Sequence, residues 1–143
     1  MAERKIIPDT SVFIYQIRGI LPDKIKEKLL NLRPLTYMSA VVAHELLRGA
    51  RNDKGIKLVE SLIKPFEKTR RIITPSYTVW RSSAKVLSEI VRKNPGYRNR
   101  IYSLENDVLI ALSSITIGAV VLTSNKEDFE LIREIRDFGL ETF

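Results

Sequence analysis

The sequence predicts an α/β fold in which a mainly parallel central sheet is sandwiched by helices. Short apolar segments alternate with amphipathic ones along the chain, which is the pattern of strands joined by crossover helices. The 143 residues match a common size for one domain, and 44% of them are hydrophobic. With only 6 Gly and 6 Pro, disorder or low complexity is excluded. We therefore expect residues 1–143 to form a single domain.

Helix boundaries in the amino-terminal half follow from capping residues. Pro22 begins a helix because its missing N–H is harmless in a first turn. Ser39 is a natural N-cap, and Gly49 suits a left-handed residue at the end of the same helix. The predicted elements are strands at Lys5–Ile7 and Leu35–Met38 and helices at Thr10–Arg18, after Pro22, from Ser39 to Gly49 and at Gly55–Phe66.

The carboxy-terminal half continues the alternation. Asn94-Pro95-Gly96 ends a long helix, and Ser103 is the expected cap of the next one. The apolar side of the long helix is expected to carry Val79, Trp80, Ala84, Leu87 and Val91. The predicted elements are helices at Tyr77–Lys93, Leu104–Ile117 and Lys126–Arg136 and strands at Arg70–Ile73, Ala119–Thr123 and Leu140–Phe143.

Composition limits the chemistry. There are 24 Lys and Arg residues against 17 Asp and Glu, and this net charge of +7 favours a polyanionic partner such as nucleic acid. The absence of cysteine excludes a disulfide scaffold, a thiolate zinc site and a cysteine nucleophile. A single histidine excludes a multi-histidine metal cluster. Any bound metal is therefore expected to have oxygen ligands.

Two segments bear on location. The start of the chain, from Met1 to Lys5, lacks the apolar core of a secretory signal, so we expect a cytoplasmic protein. Residues Val108 to Ser124 carry no charge, but Ser113-Ser114, Thr116 and Gly118 interrupt them. This segment is expected to be a buried helix that leads into a buried strand, without a membrane partner.

Four acidic residues stand where a parallel sheet places its ligand sites. Asp9 and Asp128 follow buried strands, whereas Glu45 and Asp107 lie on apolar helix faces. Simpler interpretations exist for three of them: Asp9 as a helix cap, Asp107 near a favourable helix dipole, and Asp128 in a capped first turn. Glu45 on an apolar stripe has to be paired, protonated or bound to a cation.

Convergence of the four acids on one sheet edge favours a functional interpretation. Two carboxylates about 4 Å apart repel by about 4 kcal/mol at an effective dielectric constant of 20, so a cluster needs a cation or shared protons. Mg²⁺ or Mn²⁺ suits an all-oxygen site that retains water ligands.

Four motifs together resemble the PIN-domain family, and most closely its VapC-type toxin ribonucleases. They are Ile7-Pro8-Asp9-Thr10-Ser11, Glu45-Leu46-Leu47-Arg48-Gly49, Asn106-Asp107-Val108-Leu109-Ile110-Ala111 and Thr123-Ser124-Asn125-Lys126-Glu127-Asp128-Phe129. The resemblance implies that Asp9, Glu45 and Asp107 are the central catalytic and metal-binding acids, with Asp128 as a fourth. It also implies supporting roles for Thr10, Ser11, Thr123 and Asn125. Asn125 stands where many members have Asp, so the site is one charge poorer there and a second metal is in doubt.

The resemblance implies a Mg²⁺- or Mn²⁺-dependent endoribonuclease that hydrolyses RNA phosphodiesters, as the toxin of a VapBC-type pair. Its expected partners are RNA, a small antitoxin and a second copy of the chain, with the helix at Gly55–Phe66 as a candidate dimer surface. The alternatives are a nuclease of RNA maturation or quality control and a non-catalytic RNA-binding domain. Candidate contacts to RNA phosphates are Arg48, Arg51, Lys68, Arg70, Arg71, Arg98 and Arg100.

Overall fold

The computed structural model describes residues 3–143, and its elements alternate as the sequence predicts. Met1 and Ala2, which belong to the segment judged above for a secretory signal, lie outside the described residues. The strands are β1 (Ile6–Pro8), β2 (Met38–Ser39), β3 (Ile72–Ile73), β4 (Val120–Thr123) and β5 (Gly139–Thr142). The helices are α1 (Thr10–Ile17), α2 (Asp23–Asn31), α3 (Ala40–Gly49), α4 (Asp53–Lys68), α5 (Tyr77–Lys93), α6 (Ile101–Thr116) and α7 (Lys126–Ile135).

All strand pairs in the structure are parallel. One sheet has the order β1-β4-β5, and β2 pairs with β3. An isolated parallel bridge between Ile6 and Thr36 joins the two, and the Tyr37 N–H donates to the Ile6 carbonyl at 2.8 Å. The carboxyl ends of the strands therefore face one edge. The predicted parallel sheet with helices on its faces is confirmed.

The boundaries of two predicted strands were wrong. Residues 33–35 form a 3-10 turn that includes Pro34, so β2 begins only at Met38. Arg70 has a φ of 56°, which is incompatible with a strand, and β3 begins at Ile72. The Arg71 N–H donates to the Phe66 carbonyl at 2.8 Å, which makes residues 69–71 the carboxyl-terminal cap of α4.

Helix capping agrees with the prediction at Ser39 and differs at two other residues. The Ser39 hydroxyl accepts the Val41 N–H at 3.1 Å and caps α3 as expected. Gly49 ends α3 without a left-handed conformation, and Ala50 follows with an extended backbone. Ser103 is not a cap, because α6 begins two residues earlier at Ile101 and the Ser103 hydroxyl donates to the Arg100 carbonyl.

The buried face of α5 is rotated from the predicted one. Val79 and Leu87 are buried as predicted, but Trp80 and Ala84 are exposed, and Val86 and Ile90 are buried in their place. The helix that packs most extensively on α5 is α6, whose consecutive residues 108–114 are all buried. This helix is apolar on every side because it lies between α5 and the sheet. No helix in residues 3–143 is long and apolar enough to cross a membrane.

Candidate active site

Asp9 lies at the carboxyl end of β1 and is held by hydroxyl groups. The Ser11 hydroxyl donates to its Oδ1 at 2.5 Å, and the Thr123 hydroxyl at the end of β4 donates to its Oδ2 at 2.6 Å. Asp9 is the N-cap residue of α1, as the simpler interpretation expects, but its carboxylate accepts no capping hydrogen bond. Asp9 is only 4% exposed. Burial raises its pKa, and the two hydroxyl donors partly offset this.

The strand register brings Asp9 and Thr123 together. Pro8 pairs with Leu122 in the parallel ladder, so the next residue of each strand lies at the same edge. The Asp9 N–H continues the ladder by donating to the Leu122 carbonyl at 2.9 Å. Thr123 also accepts the Asn125 N–H at 2.8 Å, which ties the loop after β4 to the same hydroxyl.

Glu45 reaches the same edge from the second turn of α3. The Thr10 hydroxyl donates to its Oε1 at 2.7 Å, across 35 residues of sequence. Glu45 is half-buried, as its place on an apolar stripe predicts, and the hydrogen bond links the first turn of α1 to α3.

Asp107 projects from α6 toward the other three acids. Burial is the main cause that raises its pKa to about 8, and the charges of Asp9, Glu45 and Asp128 add to it. The only side-chain hydrogen bond to Asp107 in residues 3–143 comes from the Asn125 Nδ2, at 3.4 Å. We call Asp9, Glu45, Asp107 and Asp128 the acidic cluster. Asp9, Glu45 and Asp128 lie close enough to Asp107 for their charges to act on it.

Asp128, in the first turn of α7, is buried and paired with a cation. The Arg100 Nη2 donates to its Oδ1 at 2.9 Å and to its Oδ2 at 3.0 Å. The Asn125 Nδ2 donates to Oδ2 at 3.2 Å, so the Asn125 amide bridges Asp107 and Asp128. Arg100 also lowers the pKa of Asp107, which places its positive charge within range of two members of the acidic cluster.

The predicted phosphate contacts divide into exposed and engaged side chains. Arg71 is engaged, because its Nη1 donates to the carbonyls of Arg33 and Thr36 and its guanidinium stacks on Phe66. Arg100 is engaged with Asp128. The exposed candidates are Arg48, Arg51, Lys68, Arg70 and Arg98.

The donor set suits a hard divalent cation, although it forms no ready-made cage. Carboxylate and hydroxyl oxygens are the groups that Mg²⁺ and Mn²⁺ prefer. No three or more Asp, Glu, His or Cys side chains within residues 3–143 are arranged to enclose an ion by themselves. Asp107, with a raised pKa and three acidic neighbours, is the carboxyl group that a cation would relieve most.

The decisive comparison is with a family model. The model described as the PIN domain matches residues 6–135, which include all four members of the acidic cluster. The chain belongs to the PIN-domain family. No curated protein compared with the chain matches it significantly.

Solved structures share the fold of this PIN domain over nearly its whole length. DNA-bound VapBC from Salmonella typhimurium matches at a TM-score of 0.71 and 21% identity, covering 98% of both chains. VapBC2 from Rickettsia felis, bound to a promoter DNA fragment, matches at 0.69 and 23%, covering 96% of this chain and 98% of that one. VapBC-1 from nontypeable Haemophilus influenzae matches at 0.66 and 23%, covering 96% of each.

Sequence reasoning missed the contact of Arg100 with Asp128 in this PIN domain. The Arg100 guanidinium forms an ion pair with Asp128 and lies over the Tyr97 ring, 5.2 Å from the centroid, while its predicted contact with RNA stays a prediction. A signal was present, because a buried acid at the start of a helix usually has a cationic or hydrogen-bonding partner. Asn125 was expected to weaken the site by removing a charge, but its role as a bridge between two acids was not predicted.

Proposed function

We propose that this chain is a Mg²⁺- or Mn²⁺-dependent endoribonuclease and the toxin of a VapBC-type pair. The observation that carries the proposal is the convergence of four carboxyl groups, from β1, α3, α6 and α7, with the pKa of Asp107 raised to about 8 by burial and by the other three. Asp107 is the seventh residue of α6, so the helix-start interpretation does not explain why other carboxyl groups lie near it. Several carboxyl groups in one place are typical of a site that binds a divalent cation.

In this proposal Asp9, Glu45 and Asp107 hold the cation, while hydroxyl groups orient two of them. Ser11 and Thr123 fix both oxygens of Asp9, and Thr10 fixes Glu45. A divalent ion held there would supply a water nucleophile and neutralise charge that develops on the scissile phosphate. Asp107 has the weakest hydrogen-bond support of the three, so its ionised form is the one that depends most on a bound cation.

RNA as the substrate is supported by charge. The chain carries a net charge of +7 although its candidate site is acidic, so the excess of positive charge lies elsewhere in the chain. Polyanion binding of this kind comes mainly from Lys and Arg contacts to phosphates.

The experiment that tests catalysis compares Asp107→Asn with Glu105→Gln on a labelled single-stranded RNA. Glu105 lies on the same helix and makes no ion pair or side-chain hydrogen bond among the described residues, so it controls for the loss of one carboxylate. We expect cleavage by the wild type in Mn²⁺ or Mg²⁺, none in EDTA, and a loss of at least about 100-fold in Asp107→Asn only. Cleavage in EDTA would reject the metal mechanism. No cleavage with any divalent ion would favour a non-catalytic RNA-binding domain.

An antitoxin partner is supported by the solved relatives and by a groove on this chain. The relatives are two-component assemblies, VapBC or FitAB by name. The groove has a volume of about 610 Å³ and lies between α1, α2 and α4. Its apolar lining includes Phe13, Leu29, Leu62 and Phe66, and Lys26, Arg33 and Arg71 contribute positive charge. We propose that an antitoxin segment with apolar and acidic residues binds there, while a basic residue of its tail meets the acidic cluster.

The partner is tested with the product of the neighbouring reading frame. It should relieve growth inhibition by the wild type and bind the Asp107→Asn variant. Ser61→Arg places a bulky cation in the groove and should weaken binding by at least about 10-fold, which is 1.4 kcal/mol. Ser88→Arg on the exposed side of α5 is the matched control. If no neighbouring product relieves growth inhibition, a nuclease of RNA maturation or quality control becomes the better assignment.

A homodimer remains part of the proposal. The predicted helix at Gly55–Phe66 lies within α4, where Val59 and Ile63 are buried in the core. Ile56 and Leu58 are 41% and 45% exposed and are the residues of this helix available to a second copy. Analytical ultracentrifugation of the wild type and Leu58→Glu tests this assignment.

A further inference from the structure

Arg100 connects the buried acid Asp128 to solvent. It is the last residue of a 3-10 turn at Pro95–Arg100, directly before α6. The Asp128 side chain is 11% exposed and that of Arg100 is 46% exposed. The ion pair therefore has a buried carboxylate on one side and a half-exposed guanidinium on the other.

The hydrogen bonds of Arg100 leave part of its guanidinium available. Both contacts to Asp128 come from Nη2. A guanidinium carries five N–H donors, and the three on Nε and Nη1 donate to no group in residues 3–143. The Tyr97 ring packs against the guanidinium at 5.2 Å and restricts its orientation. A half-exposed edge with three fixed donors matches the geometry of a phosphate.

The positive charge of Arg100 also differs from that of other basic residues in its position. It is the only Lys or Arg within residues 3–143 that forms an ion pair with a member of the acidic cluster. A polyanion that approaches four carboxylates is repelled unless cations line its path. The Arg100 charge lies beside the acidic cluster, because Arg100 contacts Asp128 and the Asn125 amide links Asp128 to Asp107.

We propose that Arg100 binds an RNA phosphate next to the acidic cluster and that Asp128 is its positioning residue instead of a metal ligand. Asp128 and Tyr97 hold the guanidinium in one orientation, and its Nε and Nη1 edge donates to the phosphate oxygens. This inference rests on the proposed ribonuclease function, from which it differs by assigning Asp128 to substrate binding.

The first test measures RNA binding without metal. A labelled single-stranded RNA of about 12 nucleotides, within the size that one domain binds, is titrated in EDTA over a range of salt concentrations. We expect Arg100→Gln to weaken binding by about 10-fold, equivalent to 1.4 kcal/mol. The salt dependence should fall by about 0.7, the slope for one phosphate contact in a single strand. Arg136→Gln, which removes an exposed charge just after α7, should do neither.

The second test measures RNA binding by the Asp128→Asn variant and by the Asp128→Asn, Arg100→Gln double variant. If Asp128 positions Arg100, Arg100→Gln should cost about threefold or less in the Asp128→Asn background. The Mn²⁺ affinity of Asp128→Asn, measured by calorimetry, should match that of the wild type. An equal cost in both backgrounds, or a loss of Mn²⁺ affinity, would overturn the assignment. The double variant buries no unpaired charge, so it keeps the test valid if Arg100→Gln alone unfolds.

Failure of this inference differs from failure of the proposed function. If the wild type cleaves RNA and Arg100→Gln binds RNA normally in EDTA, the role of Arg100 is rejected and the ribonuclease stands. If Arg100→Gln loses RNA binding but the wild type cleaves with no divalent ion, the RNA contact is supported and the catalytic proposal is rejected.

Discussion

Two parts of the acidic cluster hold their carboxyl groups in different ways. The strand half is Asp9 at the end of β1, and the helix half is Asp107 on α6 with Asp128 on α7. In the strand half, Asp9 receives hydrogen bonds at 2.5 and 2.6 Å from Ser11 and Thr123. In the helix half, Asp107 receives one long bond of 3.4 Å from Asn125, and Asp128 depends on the charge of Arg100. Both halves are desolvated. Only the strand half has enough hydroxyl donors to support a carboxylate without a cation.

This difference indicates that the strand half positions a carboxylate, whereas the helix half responds to ligands. Hydroxyl groups from the first turn of α1 and the end of β4 fix the direction of Asp9 before any ligand arrives, which is the preorganisation that a catalytic site requires. Asp107 instead retains a proton up to a pKa of about 8, and the charge of Asp128 is balanced by Arg100, so the helix half should respond to pH, metal and polyanions. The following substitutions test this contrast, from the largest expected effect to the smallest.

Asp107→Asn should abolish the response of the helix half to pH. The pKa of Asp107 is raised from 3.8 to about 8, so between these values the folded state retains a proton that the unfolded chain releases. Wild-type stability in EDTA should therefore fall as pH rises through this window. The melting temperature of Asp107→Asn should exceed that of the wild type at pH 8 by about 5 °C or more and equal it near pH 4.

Mn²⁺ provides the matching control for this prediction. A ligand that binds only the folded state raises its stability, so Mn²⁺ should raise the melting temperature of the wild type more than that of Asp107→Asn. Glu105→Gln should follow the wild type in both experiments. A wild-type melting temperature that rises between pH 5 and pH 8 in EDTA, with Asp107→Asn unchanged, would contradict the assigned pKa.

Thr123→Val should remove the hydroxyl group that supports Asp9 while keeping the shape of the side chain at position 123. Thr123 is fully buried, and its hydroxyl donates to Asp9 and accepts the Asn125 N–H. Losing it leaves two buried polar groups without a partner, at a cost of about 1–3 kcal/mol in the free energy of unfolding. The cost should be larger at pH 7.5 than at pH 4.5, because the hydroxyl stabilises the charged form of Asp9.

Urea denaturation at the two pH values measures this cost. Thr123→Ser keeps the hydroxyl and loses only a methyl group, so its cost should be about 1 kcal/mol and independent of pH. If valine and serine give equal losses at both pH values, the strand half is not held by this hydroxyl.

The sequence could predict the members of the acidic cluster because each follows a periodic pattern. Asp9 comes after a buried strand, and Glu45 and Asp107 lie on apolar faces that the structure confirms as facing the interior. Their partners could not be derived in the same way. Arg100 meets Asp128 across 28 residues, and that contact depends on how a 3-10 turn and α7 pack together.

Long elements were predictable and short ones were not. The helix Tyr77–Lys93 was predicted with its observed bounds, since Ser76 caps it and Asn94 ends it. Strand β2 has two residues, and its bounds depend on the ladder with Ile72–Ile73 instead of on local sequence. The exposed face of α5 was misassigned because Trp80 is apolar but 48% exposed. Apolar residues at a helix start do not establish which face is buried.

The ends of three helices, α1, α4 and α6, allow a comparison of backbone strain that does not involve the acidic cluster. A left-handed residue follows the end of each of these helices. It is Gly19 (φ 70°) after α1 and Gly118 (φ 65°) after α6, whereas after α4 it is Arg70 (φ 56°). The Arg71 N–H donates to the Phe66 carbonyl at 2.8 Å. The chain can form this bond only if Arg70 adopts the left-handed conformation. A left-handed residue with a side chain costs about 1–2 kcal/mol, which glycine avoids.

Arg70→Gly should therefore stabilise the chain by a small amount that does not depend on pH or metal. Glycine relieves the left-handed strain but loses about 0.5–1 kcal/mol of chain entropy on folding, which leaves a net gain of about 0.5–1 kcal/mol. The melting temperature should rise by about 2–4 °C, equally at pH 5 and pH 8 and with or without Mn²⁺. Arg70→Ala removes the same side chain without relieving the backbone, so the difference between the two variants measures the relieved strain minus the extra chain entropy that glycine loses on folding. Because both variants lose the same charge, any loss of RNA affinity should be shared by them. A gain for Arg70→Gly that grew with pH would mean that the charge of Arg70 acts on the acidic cluster, and the contrast between its two halves would then extend to the end of α4.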